Sequence, residues 1–145
     1  MTPSSPSPET IERRLAHQRD LLSELRKLQP VTTNRLTDEP ITRAAIERMI
    51  QAIVDLALDI NGHIASSSLR RSPATGRESF DLMVTVGVLQ PDQAERLKPA
   101  VGLRNVLVHM YADIDVRLIA GAADEFETAF SDYVRSVARW LLANS

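Results

Sequence analysis

Arg104, Asn105, His109 and Tyr111 crowd into one otherwise apolar stretch, Val101-Gly102-Leu103-Arg104-Asn105-Val106-Leu107-Val108-His109-Met110-Tyr111. These residue types suit phosphodiester chemistry. An arginine can clamp a phosphate through two parallel hydrogen bonds. A histidine, with a reference pKa of roughly 6.5, is available near neutrality as either base or acid. RNA can be cut by its own 2′-hydroxyl when a base takes that proton, a cation stabilises the crowded phosphorane and an acid protonates the leaving 5′-oxygen. In this assignment Arg104 clamps the phosphate and His109 moves the proton. Asn105, one turn before His109, orients the imidazole or bonds the RNA.

Other chemistries lack their residues. The positions three before His17, His63 and His109 are Arg14, Ile60 and Val106, so the Glu-x-x-His pairs of di-iron bundles are missing. No glycine-rich phosphate loop, nucleophile-elbow serine or His-Glu-x-x-His zinc pattern is present. The chain has no cysteine, hence no disulfide and no thiolate nucleophile or metal ligand. The expectation is chemistry with no metal and no cofactor.

Wound at 3.6 residues per turn, Lys98, Gly102, Asn105 and His109 form one polar stripe on which Gly102 leaves room. Arg104 lies on another face, among Leu97, Val101, Leu107 and Val108. An unpartnered cation buried there would cost several kcal/mol, on the order of other buried ions, so Arg104 needs an anion. That anion is either an acid on a neighbouring helix or a substrate phosphate. Five residues apart, Arg104 and His109 diverge by about 140° on a straight helix. A break after His109, or a second chain, would help them converge. The reaction also needs two proton-transfer groups while the motif supplies one histidine, and a symmetric dimer would supply the second.

The elements that must carry these residues read as helices. Glu9 to Leu28 has apolar residues at Ile11, Leu15, Leu22, Leu25 and Leu28, and Pro30 ends it. Val31 to Glu39 reads as a polar connection. Pro40 opens a long helix to about Ser66, with Ala45, Met49, Ile53, Leu56, Ile60 and Ile64 on its buried face. Asp55, Asp59 and His63 form a second row on that helix. Asp59 is a candidate accessory residue, either as partner of Arg104 or facing the cleft, or else in a surface pair with His63. The loop from Ser66 to Gly76 holds Arg70 and Arg71, which with Arg77 make the densest basic cluster; it is either a solvated loop or a guide for an anionic partner. Arg77 to Thr85 is a short helix stopped by Gly87. Pro91 or Asp92 starts the motif helix, which runs to about Met110. A last helix, from Val116 or Asp124 to Ala143, closes the bundle, with Gly121 a point of interruption near its start. His17 reads as solvated.

No stretch alternates with period two, so no sheet is expected. The fold class is all-α, an antiparallel bundle of four to five helices. At 145 residues one domain is expected, over 9–145, after a loose proline-rich tail at 1–8. Apolar residues at 43% and charged residues at 25% place the chain among soluble proteins, and no run is long enough to span a bilayer. The N-terminus lacks the pattern of a secretory signal, so a cytoplasmic location is expected. A net charge of -2 argues against a broad nucleic-acid-binding surface but leaves room for a local cleft.

The segment from Arg104 to Tyr111 resembles the Arg-x4-His-x-Tyr signature of the HepT-like toxins of the HEPN superfamily of helical ribonucleases. Ala45 to Ala65, the segment from Arg77-Glu78-Ser79-Phe80 to Gly87-Val88-Leu89, and the helix leading into Arg104 follow the same layout. The likeness covers nearly all the chain after about the first ten residues. Met110 departs from it, since a polar or acidic residue is common there. The resemblance implies a HEPN-like bundle, a homodimer with a composite cleft, and a metal-independent endoribonuclease leaving a 2′,3′-cyclic phosphate. RNA is the implied substrate, with tRNA among the candidates. It further implies a toxin neutralised by a minimal, MntA-like nucleotidyltransferase antitoxin that places AMP on Tyr111. A phosphodiester there would put negative charge where the substrate phosphate belongs. From the residues alone, Tyr111 reads as an interfacial tyrosine bonded at the helix end. The alternative function is a catalytically silent helical dimer that binds a nucleotide or serves as adaptor for a nucleotidyltransferase.

Overall fold

A computed structural model describes residues 8–109 and 114–144, and every regular element among them is an α-helix. They are α1 Pro8–Lys27, α2 Thr33–Asp38, α3 Pro40–Leu69, α4 Gly76–Val86, α5 Pro91–His109 and α6 Val116–Ala143. Tyr111 and most of the expected tail lie outside the described residues, while Pro8 begins α1.

α3 is the spine. Pro40, at its first turn, has a fixed φ suited to a helix start and no amide hydrogen to leave unpaired. Thirty residues later Arg70 takes a left-handed conformation (φ 52°) and returns its amide to the Ser66 carbonyl. Between these ends Ile46, Ile50, Ile53, Ile60 and Ile64 are buried, and α3 packs against α1, α2, α4 and α5. α6 closes the other side against α1, α2 and α5 through Phe126, Phe130, Tyr133 and Val137. Gly121 does not interrupt α6, which is continuous from Val116.

The stretch read as a polar connection holds a short helix instead. Thr32 accepts the Arg35 amide at 3.1 Å, and Leu36, 1% exposed, pins α2 to the core. The Arg35 guanidinium reaches the carbonyls of Leu28 and Pro30 and so ties α2 to the end of α1.

α4 begins where Thr75 accepts the amide of Glu78 at 3.0 Å, the arrangement expected of a threonine cap followed three residues later by glutamate. It ends at Gly87, whose φ of 96° lets Val88 return its amide to the Met83 carbonyl at 2.9 Å. A buried polar chain docks it. The Tyr133 hydroxyl donates to Asn61 Oδ1 (2.7 Å), Asn61 Nδ2 donates to Ser79 Oγ (3.0 Å), and the Ser79 hydroxyl donates to the Gly76 carbonyl (2.6 Å). Three helices are thereby joined with each polar group satisfied, as a water-free interior demands. Burial pushes the Tyr133 phenol well above its usual pKa, so it stays a neutral donor. None of the described helices is long and apolar enough to cross a membrane.

Candidate active site

α5 carries the motif, and its own start is secured by Gln93, whose side chain accepts the Gln90 amide at 2.9 Å. Ala94, Leu97, Val101 and Leu107 anchor its inner face. The helix continues through Pro99 to His109, so Arg104 and His109 keep the divergence of about 140° that the spacing sets.

Arg104 has its anion. Its Nε donates to Asp55 Oδ1 on α3 at 2.7 Å, and Nη1 lies 3.4 Å from Asn105 Oδ1. The Arg104 side chain is 27% exposed, so one edge is committed to Asp55 while the guanidinium still meets solvent. The acid that faces Arg104 is therefore Asp55, one turn before Asp59. Asp59 is bound to Arg14 of α1 and lies 3.6 Å from His63 Nε2, the surface pair that was one of its readings. Asn105 and His109 are exposed, and the His109 side chain makes no hydrogen bond or ion pair with any described residue. His109 is the last residue of α5.

The rest of the polar stripe is divided. Lys98 pairs with Asp81 and Glu95, each at 2.7 Å, and these partners, Asp81 foremost, raise its pKa. Over Gly102 lies the guanidinium of Arg77, from the first turn of α4; a β-carbon at Gly102 would stand 2.9 Å from Nη2. Arg71 pairs with Glu78 at 2.7 Å, so the basic cluster separates into members with different surroundings. Spacing alone does not indicate Asp55 or Arg77. Asp55 was visible only as one acid of a row, and Arg77 only as part of a charge cluster.

The chain is similar in shape to solved structures that include a HEPN toxin. A tri-AMPylated HEPN toxin from Shewanella oneidensis, in complex with an MNT antitoxin, superposes with a TM-score of 0.78 at 18% identity over 89% of this chain and 96% of that one. YutE from Bacillus subtilis, described as a cytosolic protein of unknown function, gives a TM-score of 0.80 at 20% identity, covering 94% of this chain and 91% of that one. Helices in this order, with Arg104 and His109 at the end of the fifth, define an all-helical domain of the HEPN type. The family can be stated more narrowly. Residues 19–137 match the model of the HepT-like ribonucleases, and a tRNA nuclease HepT from Aphanizomenon flos-aquae (strain 2012/KM1/D3) is 31% identical over 135 residues, 93% of this chain and 92% of that protein. The chain belongs to the HepT-like ribonuclease family.

Proposed function

We propose that this protein is the toxin of a toxin-antitoxin pair, an endoribonuclease that cuts RNA without a metal in the cytoplasm. One observation carries the site assignment: Arg104 is oriented by Asp55 at 2.7 Å yet remains partly exposed, on the helix that ends with His109, whose side chain has no partner among the described residues. An arginine present only for structure has no need of an open edge. The tRNA nuclease relative supports an RNA substrate, tRNA first, and the cytosolic neighbour supports the location.

The reaction divides among the residues as follows. Arg104 holds the scissile phosphate and stabilises charge on the phosphorane. His109 removes the 2′-hydroxyl proton or protonates the leaving 5′-oxygen, and the product carries a 2′,3′-cyclic phosphate. Asn105, exposed beside both, orients the imidazole or the RNA. A second chain supplies the other histidine and lets an arginine and a histidine on divergent faces meet across a symmetric cleft. Tyr111 is the residue on which a nucleotidyltransferase antitoxin places AMP; the tri-AMPylated toxin of the same fold supports that reading.

The test is cleavage of total tRNA in EDTA by protein made without any antitoxin, its intact mass checked for AMP. His109→Ala and Arg104→Ala should each lower the rate by about 10²-fold or more, the scale of losing one proton-transfer group or one transition-state contact. Wild type and variants equally inert, with no AMP on Tyr111, would leave the adaptor reading in its place.

A further inference from the structure

We infer that Arg77 is a second phosphate-binding residue of the cleft, gripping the RNA backbone beside the scissile position rather than at it. The inference rests on the ribonuclease reading above and adds a residue to it from outside the motif.

Arg77 is an exposed arginine with no hydrogen bond or ion pair to any described residue, in a region where other cations are committed: Lys98 to Asp81 and Glu95, Arg71 to Glu78. Exposure alone would make it a solvated side chain. Its position says more. The guanidinium rests over Gly102, where a β-carbon would approach Nη2 to 2.9 Å, so the absent side chain at residue 102 forms its seat. Gly102, Asn105 and His109 lie on one stripe of α5: at 100° per residue Gly102 and His109 are about 20° apart, with Asn105 about 40° from His109 and about 60° from Gly102. Seven residues at 1.5 Å each place the Arg77 seat roughly 10 Å along the helix from His109. Arg104 faces about 160° from Gly102 and about 140° from His109, toward α3. A strand lying along α5 with its scissile phosphate near His109 therefore meets Arg77 at a neighbouring phosphate.

The root of Arg77 is also fixed. Gly76, the residue before it, has its carbonyl bonded by Ser79, which is held by Asn61 and, through Asn61, by Tyr133. Thr75 caps the same turn. An arginine on a turn anchored in the core, with its tip unpaired among the described residues, loses less freedom on gripping a phosphate than one on a mobile loop.

A contact of this kind strengthens substrate binding without taking part in the transition state, so it belongs in KM and in the salt dependence. The experiment compares wild type, Arg77→Gln, Arg77→Lys and Gly102→Ala, with Arg139→Gln on α6 as an equal change of charge elsewhere. Cleavage of a defined tRNA transcript gives kcat and KM. Binding of the same fluorescein-labelled transcript is measured in a His109→Ala background over a salt series. Arg77→Gln should raise KM about tenfold with kcat within about twofold, and lower the slope of log affinity against log salt by about 0.7 to 1, the contribution of one phosphate contact. Arg77→Lys should recover part of the loss. Gly102→Ala, which keeps the charge and displaces it from its seat, should raise KM in the same direction, and Arg139→Gln should match wild type. Arg77→Gln with unchanged KM and salt slope, or with a loss confined to kcat, overturns the inference and leaves the ribonuclease reading intact. A wild type that binds the transcript without cutting it removes the ribonuclease reading, and the binding comparison still decides Arg77. A protein that binds no tRNA overturns both.

Discussion

The Asp55–Arg104 pair shows how little stability a site contact has to contribute. Both side chains are partly exposed, 39% and 27%, and screened pairs of this kind contribute about 0 to 1 kcal/mol. Its value lies in direction: with Nε bound to Asp55, the arginine is held in one of its many rotamers before substrate arrives. Asp55→Ala should leave the melting temperature within a few degrees of wild type and lower kcat about tenfold, while Asp55→Asn, which keeps an acceptor oxygen, recovers part of the rate. Equal activity of all three proteins would show the carboxylate to be a bystander. That an anion had to face Arg104 was legible from its aliphatic neighbours Leu97 and Val101. Which acid it would be was not. Asp55 and Asp59 lie on the same face one turn apart, and only the longitudinal register of α3 against α5, set by packing along both helices, separates them.

Among the elements, α4 has the most defined task, because it presents Arg77 to α5 and is docked by a polar chain rather than by apolar area alone. Ser79→Ala strands Asn61 Nδ2 in a site where Asn61 is 0% exposed, and a buried donor left without a partner costs about 1 to 3 kcal/mol. The urea midpoint should fall accordingly with an unchanged slope, and a midpoint equal to wild type would mean that the Asn61 amide finds another acceptor. The end of α4 was legible because Gly87 is local punctuation, whereas Thr75, which caps its start together with Glu78, lay in the stretch read as loop and went unread. The polar chain was not legible, since Tyr133 and Ser79 fit an apolar periodicity without revealing where a hydroxyl points. α2 escaped for a different reason. Six residues give too little periodicity to register, and its hold depends on one buried leucine and on Arg35 reaching back to carbonyls at the end of α1.

For the molecule as a whole, the five long helices and their order follow from proline, glycine and apolar spacing, whereas the completeness of the cleft does not follow from one chain. The continuity of α5 keeps Arg104 and His109 on faces about 140° apart. The proposed dimer is checked by sedimentation: the protein should run at twice the 16.1 kDa chain mass at assay concentration, and specific activity should fall on dilution in step with the dimer fraction. A monomer that cuts tRNA at the full rate would refute it. In that dimer the geometry of α5 also sets a dose response. With the cleft shared between two chains, a lone chain would be inactive, so at low abundance the number of working clefts would rise with the square of the copy number. Weak, leaky synthesis would then yield little activity and a burst of synthesis disproportionately more.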